Sequence, residues 1–223
     1  MAEPPDPAEF VRANTVVAAP PLVPEIRLRL ASEITPLWHA TEQTLAQNQL
    51  PPPYWAFAWA GGQALARHIL DHPELVRERG VLDFGAGSGL VAIAAAKSGA
   101  EVTAAEIDPF AAAAIALNAA LNGVRVAIER AEVIGRAPAP WDIVLAGDMC
   151  YERPLAERLT PWLRALAARG ALVLLGDPGR AYLPGDGLEE LARYQVPTPI
   201  ELEDRTSREG VVWRLTGTAP SAS

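Results

Sequence analysis

The chain of 223 residues is short of three side chains that carry much of protein chemistry: it has one cysteine, three histidines and a single lysine, Lys97. With Cys150 alone, no disulfide framework can form within the chain, and a reducing, cytoplasmic compartment is expected. His39, His68 and His72 make no ligand pattern with that cysteine, which argues against a structural zinc site. Long apolar runs are missing as well. The alanine-rich segments are broken by charges or helix ends, so no membrane span is expected. The opening "MAEPPDPAEF" has neither the basic start nor the apolar run of a signal peptide. Basic residues are outnumbered, giving a formal net charge of −8. An acidic surface disfavours non-specific binding to nucleic acid or to an anionic membrane.

What remains is rich in core-forming residues. Half of the chain, 50%, is hydrophobic, which at this length suits one compact domain. Residues 1–24 contain "AEPPDP" and "APPLVP", and proline without periodicity suggests a mobile or extended arm. "EIRLRLA" alternates like a half-buried edge strand. "TPLWHATEQTLAQ" reads as a short helix from Thr35, and a second helix is expected from about Gly61 to Leu70. From Val81 onward strand and helix alternate: "GVLDF", "SGLVAIAAAKSG", "AEVTAAEI", a helix capped by Asp108 with Pro109 at its first position, "VRVAIER", "WDIVLAGD", a helix bent or restarted at Pro161, and "ALVLLGD". "GLEELARY" reads as a short helix. "QVPTPIELE" and "GVVWRLTG" read as a closing antiparallel pair, and 219–223 as a disordered tail. Helices between strands imply right-handed crossovers. The expected fold is α/β, a Rossmann-like seven-stranded, mostly parallel sheet over 81–218, with 25–80 as an N-terminal extension and lid.

"VLDFGAGSGL" places Gly85, Ala86, Gly87 and Gly89 between a buried strand and a helix, where ligands of such sheets bind. Glycine allows a sharp turn and a close backbone approach. The ligand has three candidates: a dinucleotide, a nucleoside triphosphate, or neither. Dinucleotide sites carry G-x-G-x-x-G, and triphosphate sites carry G-K-[ST]. This loop has G-x-G-x-G and an acid, Asp83, before it. A carboxylate there would repel phosphate and favour a cation. The pattern favours S-adenosylmethionine, which has a sulfonium, an ammonium and no phosphate. Glu106 lies 23 positions beyond Asp83, at the tip of the next strand, and is assigned to the ribose hydroxyls. Glu132, after the third strand, is placed to reach the adenine edge.

"DFGAGSG", "AEID" and "WDIVLAGD" resemble the successive motifs of class I methyltransferases. "PYWAFAWAGGQALARHILDHPELV", "AAEIDPFAAAAIALNAALN", "GDMCYE" and "LLGDPGR" resemble the electron transfer flavoprotein β-subunit lysine methyltransferase family, within the lysine methyltransferases that carry D-x-x-Y. The resemblance runs from "PEIRLRL" to "VVWRL". It implies that Asp148 and Tyr151 hold a substrate lysine, that Gly147 and Trp59 contact the cofactor, and that Gly85, Ala86 and Gly87 wrap its methionine part. It also implies a protein substrate, the flavoprotein β subunit. A monomer is expected. Three departures concern the substrate more than the reaction: "WAGG" where a proline usually follows the tryptophan, Cys150 where an aromatic is common, and Glu152 for an aspartate. Methylation of another protein, such as a ribosomal protein, or of a small amine stays open, as does a non-catalytic module that kept the fold.

Each assignment has a plainer rival. Asp148 alone would serve as the cap of the helix that follows it. Tyr54, Trp55 and Phe57 would be mainly core, with Trp59 at the cofactor. Asp177 is explained by a Pro-Gly turn. Arg180 is available to an acidic part of a partner. Asn118 and Asn122 read as capping or solvent residues.

Overall fold

A computed structural model of the chain describes residues 5–40, 52–136, 141–198 and 206–217. The first element corrects the expectation of an extended arm. Helix α1 (Pro7–Ala13) starts with Pro7 at its first position and Asp6 accepting the Glu9 N–H at 2.8 Å. Val11 is fully buried, and the Phe10 ring lies 4.9 Å from that of Phe110. Proline here starts a helix instead of preventing one. Strands β1 (Val16–Ala18) and β2 (Leu28–Leu30) pair antiparallel in a ribbon of their own, so "EIRLRLA" does not edge the main sheet. Helix α2 is short, Pro36–His39, and the rest of the helix expected there lies outside the described residues.

Two asparagines fasten this ribbon. Asn118 is fully buried; its side-chain oxygen accepts the Arg29 N–H at 2.8 Å, and its amide donates to the Ser88 carbonyl at 2.8 Å. Asn122 accepts from the Arg27 N–H and donates to the Arg27 carbonyl. Both were read as capping or solvent residues. Asn122 does cap the helix it ends, and both side chains are in addition long-range ties that join the ribbon to that helix, behind the glycine loop.

Helix α3 (Ala60–Asp71) leads to the alternating core: β3 (Gly80–Phe84), α4 (Leu90–Lys97), β4 (Glu101–Ala105), α5 (Pro109–Leu121), β5 (Ala127–Glu129), β6 (Ile143–Gly147), α6 (Arg153–Ala168) and β7 (Leu172–Asp177). Asp108 caps α5 through the Phe110 N–H, as its place before Pro109 predicted. Pro161 sits inside a single helix of 16 residues, with no restart. The chain closes with β8 (Leu188–Pro197) and β9 (Ser207–Leu215).

The sheet order is β5-β4-β3-β6-β7-β9-β8. The five strands from β5 to β7 are parallel, and β9 runs antiparallel to both neighbours. That is the expected seven-stranded fold with an antiparallel closing pair. One element differs. "GLEELARY" is not helical but forms most of β8, paired with β9 from Leu188↔Leu215 to Pro197↔Ser207. Its leucine, glutamate and alanine residues favour helix, but pairing with β9 overrides that weak preference.

The core has two layers. Leu65 and Ile69 of α3, Ile93 of α4 and Ile115 of α5 are fully buried on one face, together with Ile143, Leu145 and Leu174 of the sheet. Leu159, Trp162 and Leu163 of α6 cover the other face, against Leu82 and Val144. Each such aliphatic side chain contributes about 1.5–3 kcal/mol by leaving water. The order reverses beside β3, from which the chain goes first to β4 and later to β6. That switch point is where open α/β sheets hold ligands.

Candidate active site

A cavity of about 410 Å³ opens at the switch point. Its wall includes Gly85 and Gly87 after β3, Glu106 after β4, Glu132 after β5, and Gly147, Asp148 and Tyr151 after β6. Trp59 and Arg180 complete it. Eight of the ten residues singled out from the sequence therefore share one cavity. Ala86 and Asp83 are not on its wall.

Asp83 lies behind the loop instead of beside a ligand. It is 2% exposed, and its Oδ2 accepts the Ala92 N–H at 2.8 Å, in the first turn of α4. Burial pushes its carboxyl up to about 8. Asp83 therefore holds the start of α4 beneath the loop and does not present a charge to the cavity, contrary to the expectation from its place before the glycines. A different observation disfavours phosphate. Four of the loop's five amides are already used. Gly85 and Ala86 donate to the Ala105 carbonyl, Gly87 to Glu106 Oε2 and Gly89 to the Ala86 carbonyl. Within the loop this leaves the Ser88 amide, a poor cradle for a diphosphate by itself.

Two glycines of the loop have backbone reasons. Gly85 has φ +64°, and a Cβ on it would lie 2.3 Å from Met149 Sδ. Gly87 has φ +52°. Both conformations are costly for other residues. Glu106 is set by its neighbours: Oε2 takes the Gly87 N–H and Oε1 the Asp108 N–H, each at 3.0 Å. Burial raises its pKa, against the lowering effect of those amides. Glu132 is tied more loosely. Oε1 accepts from the Ile134 N–H and Oε2 pairs with Arg158, at the solvent edge.

Asp148 is built differently. It follows the last residue of β6 in the left-handed region, φ +58°, and is 8% exposed. It does cap a helix, but not the α6 that follows it. Its Oδ2 accepts the Gly62 N–H at 2.7 Å, in the first turn of α3. Its Oδ1 accepts from Arg180 Nε at 3.2 Å and Nη2 at 2.9 Å. Burial raises its carboxyl to about 6, although Arg180 pulls the other way. The close approach of α3 explains "WAGG". A Cβ on Gly61 would lie 2.2 Å from the Gly176 oxygen, and one on Gly147 would lie 2.9 Å from the Gly62 Cα.

Arg180 turns inward, which the sequence reading missed. Asp177, 1% exposed, accepts the Gly179 and Arg180 N–H groups through Oδ1 at 2.7 and 2.6 Å. That turn carries the guanidinium over the Trp59 ring, 5.4 Å from its centroid, and onto Asp148. The signal was in "GDPGR": an Asp-Pro-Gly turn at the tip of β7, which neighbours β6. Aromatics close the mouth. Tyr151 stands 5.6 Å from Tyr54, Tyr54 is 6.3 Å from Trp59, and the Trp59 indole donates to the Tyr54 carbonyl at 2.8 Å. Tyr151 thus faces Tyr54, not Asp148. Cys150 is buried, and burial holds its thiol at about 12, so it is no nucleophile.

Comparison with known proteins agrees with this geometry. Residues 64–175 match the family model of the ribosomal protein L11 methyltransferase. The fold is shared with an RNA methyltransferase from Salinibacter ruber in complex with S-adenosyl-L-homocysteine, at a TM-score of 0.51 and 18% identity over 71% of this chain and 94% of that one. A magnesium protoporphyrin IX methyltransferase from Synechocystis PCC 6803 with bound S-adenosylmethionine gives 0.51 at 15% identity, over 68% and 76%. Fold and site define an S-adenosylmethionine-dependent methyltransferase. The finer match is to the electron transfer flavoprotein β-subunit lysine methyltransferases. That of Xenopus laevis is 40% identical over 93% of this chain and 86% of its own length, and that of Homo sapiens is 36% identical over 92% and 80%. The chain belongs to this family.

Proposed function

We propose that the chain transfers the methyl group of S-adenosylmethionine to a lysine side chain of the electron transfer flavoprotein β subunit. Family membership supports the substrate. The observation that carries the reaction is a buried carboxylate, Asp148, on the wall of the same cavity as Glu106 and the glycine loop. The cavity suits the cofactor: its wall has four acids for a cationic ligand, Glu106, Asp108, Glu132 and Asp148, and an uncluttered backbone at Gly85 and Gly87 whose amides are already bonded. In this reading Glu106 accepts the ribose hydroxyls. Trp59, Gly147 and the loop flank the methionine part, and Glu132 borders the adenine edge. Asp83 and Ala86 act from behind, by shaping the loop.

When bound, S-adenosylmethionine supplies a methyl group already activated by its sulfonium. The protein has to align a neutral amine with it and exclude water. Asp148 accepts an N–H from the amine and aims its lone pair. It is a positioning group, since a base this weak removes little from an amine of pKa about 10.4. The proton leaves to water. Tyr151, Tyr54 and Trp59 line the path of the aliphatic stem.

Purified chain, labelled S-adenosylmethionine and purified flavoprotein test the proposal. Label on a lysine of the β subunit is expected, and an enzyme that labels other proteins but not this one would overturn the substrate. The match to the L11 methyltransferase model favours ribosomal protein L11 as the rival, so it belongs in the same assay. A chain that binds the cofactor and labels nothing in a cell lysate would be a non-catalytic module.

A further inference from the structure

We infer that Arg180 sets the protonation state of the acceptor amine, by cancelling the charge of the carboxylate that holds it. The inference rests on the proposed lysine methylation and deepens it. Methyl transfer needs the amine lone pair, so an ammonium cannot react. A lone buried carboxylate would hold the ammonium form and raise its pKa, trapping the nucleophile it was meant to orient. Asp148 is not alone. Oδ1 takes two N–H groups of Arg180, and Oδ2 takes the Gly62 amide. A guanidinium does not give up its proton. The pair is therefore electrically neutral, yet its carboxylate oxygens keep further lone pairs for an amine N–H. An incoming ammonium meets a cation as well as an anion, and loses its proton more readily.

The placement of Arg180 is built rather than incidental. Its backbone amide is fixed by Asp177, its guanidinium lies over Trp59, and its side chain is only 18% exposed. The other ionisable groups facing the pair do not take over this role. Asp177, beneath it on β7, adds negative charge; burial favours its neutral form, and Arg180 itself and then Arg208 on β9 oppose that. The Cys150 thiol and the Tyr151 phenol, next in the chain, are both raised by burial and stay neutral near pH 8. Glu106 acts on Tyr151 from β4. Helix α3 offers Asp148 a backbone amide.

The test is the pH profile of single-turnover methylation of the flavoprotein β subunit between pH 6.5 and 10, with cofactor affinity measured alongside. The wild-type rate should reach its plateau below pH 9, well short of the ordinary lysine value of about 10.4. In Arg180→Gln the rising limb should move to higher pH. A unit charge at about 4–6 Å shifts a pKa by about 1–3, so the rate at pH 7.5 should fall at least about tenfold and recover above pH 9. Arg180→Lys should leave the limb where the wild type has it, whatever its rate. Aminoethylcysteine at the labelled position, a less basic amine, should narrow the Arg180→Gln deficit at pH 7.5. A deficit equal at every pH, an unmoved limb, or a wild-type plateau reached only beyond pH 10 overturns the role of Arg180. A wild-type enzyme that labels no lysine overturns the underlying reading instead.

Discussion

Two carboxylates of the cavity, Glu106 and Asp148, are held in opposite ways. Glu106 is satisfied from within one strand-helix-strand unit, by the Asp108 amide next to it and the Gly87 amide at the other end of the crossover. Asp148 is satisfied from far away, by Gly62 of α3 and Arg180 after β7. Glu106 is therefore set once β3 and β4 have paired around a single crossover helix. Asp148 exists as a site only once α3, β6 and β7 have packed together. A ligand held by Glu106 depends on one βαβ unit, whereas the acceptor held by Asp148 depends on elements from both ends of the fold.

The largest break in this contrast is expected at Asp148. Asparagine there still accepts from Gly62 and tolerates φ +58°. The charge is gone, and Arg180 loses its partner at a cost of about 1–3 kcal/mol. Transfer at saturating cofactor should fall at least about a hundredfold, the scale of lost alignment, while cofactor affinity changes little. A single-turnover rate within tenfold of wild type would remove Asp148 from the reaction. Glu106→Gln should do the reverse. Charge-assisted hydrogen bonds contribute about 1.5–3 kcal/mol, so calorimetry should show cofactor binding weakened by about ten- to a hundredfold, with the saturated rate nearly kept. Equal losses of rate and affinity in both variants would erase the distinction.

The same contrast explains what could be read from the sequence. The glycine loop, Glu106 and the Asp108 cap are local patterns, and all are where spacing put them. The partners of Asp148 were not legible. Nothing near "GDMCYE" shows that its acid caps α3, or that Arg180, 32 positions on, bonds to it. Asp83 misled for a related reason: its strand-tip position was right, but its burial depends on α4 folding back over it. "GLEELARY" failed because its partner, β9, follows it in the chain and supplies the pairing that decides it. The prolines of the first residues failed because Pro7 begins a helix whose buried Val11 needs α5 to pack on.

Gly61 and Gly62 sharpen the contrast within two adjacent residues. A Cβ on Gly61 would meet the Gly176 oxygen at 2.2 Å and Asp148 Oδ2 at 2.7 Å. Overpacking of this kind costs about 1–3 kcal/mol. Gly61→Ala should lower the melting temperature by roughly 2–10 °C and disturb transfer through Asp148. On Gly62 the nearest atoms lie 3.9 and 4.0 Å away, an ordinary contact. Gly62→Ala should melt close to wild type or slightly above, because glycine inside a helix costs about 0.5–1 kcal/mol relative to alanine. Equal melting of the two variants would show that α3 does not sit where its glycines place it.

A smaller effect is expected in the pH dependence of stability. Asp83 has a folded pKa of about 8, against an ordinary value of about 3.9. The folded state binds this proton more tightly, so the contribution is full below about pH 4 and is lost as pH rises through 8. Asp148, raised to about 6, adds the same sign and loses its contribution earlier. The urea midpoint should therefore decline from pH 5 to 8.5. Asp83→Asn keeps an acceptor for the Ala92 amide and has no proton to lose, so its decline should be flatter. Parallel slopes for variant and wild type would mean that Asp83 is ionised in the folded protein.

The smallest effect belongs to Glu132, which shares the cavity wall but not the burial of the other two acids. Its side chain is 49% exposed, and its partner Arg158 is 57% exposed. An ion pair this open is worth about 0–1 kcal/mol, so Glu132→Gln should unfold within that margin of wild type. One of its oxygens is held by a charged partner, Arg158, and both face solvent, so a hydrogen bond to a ligand gains less there than at the half-buried Glu106. Cofactor affinity should weaken by only about two- to fivefold, the lower end of a single net hydrogen bond. Titration calorimetry on Glu132→Gln and Glu106→Gln side by side reads the difference. A loss at Glu132 as large as that at Glu106 would show that the adenine end is held by a charge as firmly as the ribose. No loss at all would leave Glu132 as a residue that only ties its own loop to α6.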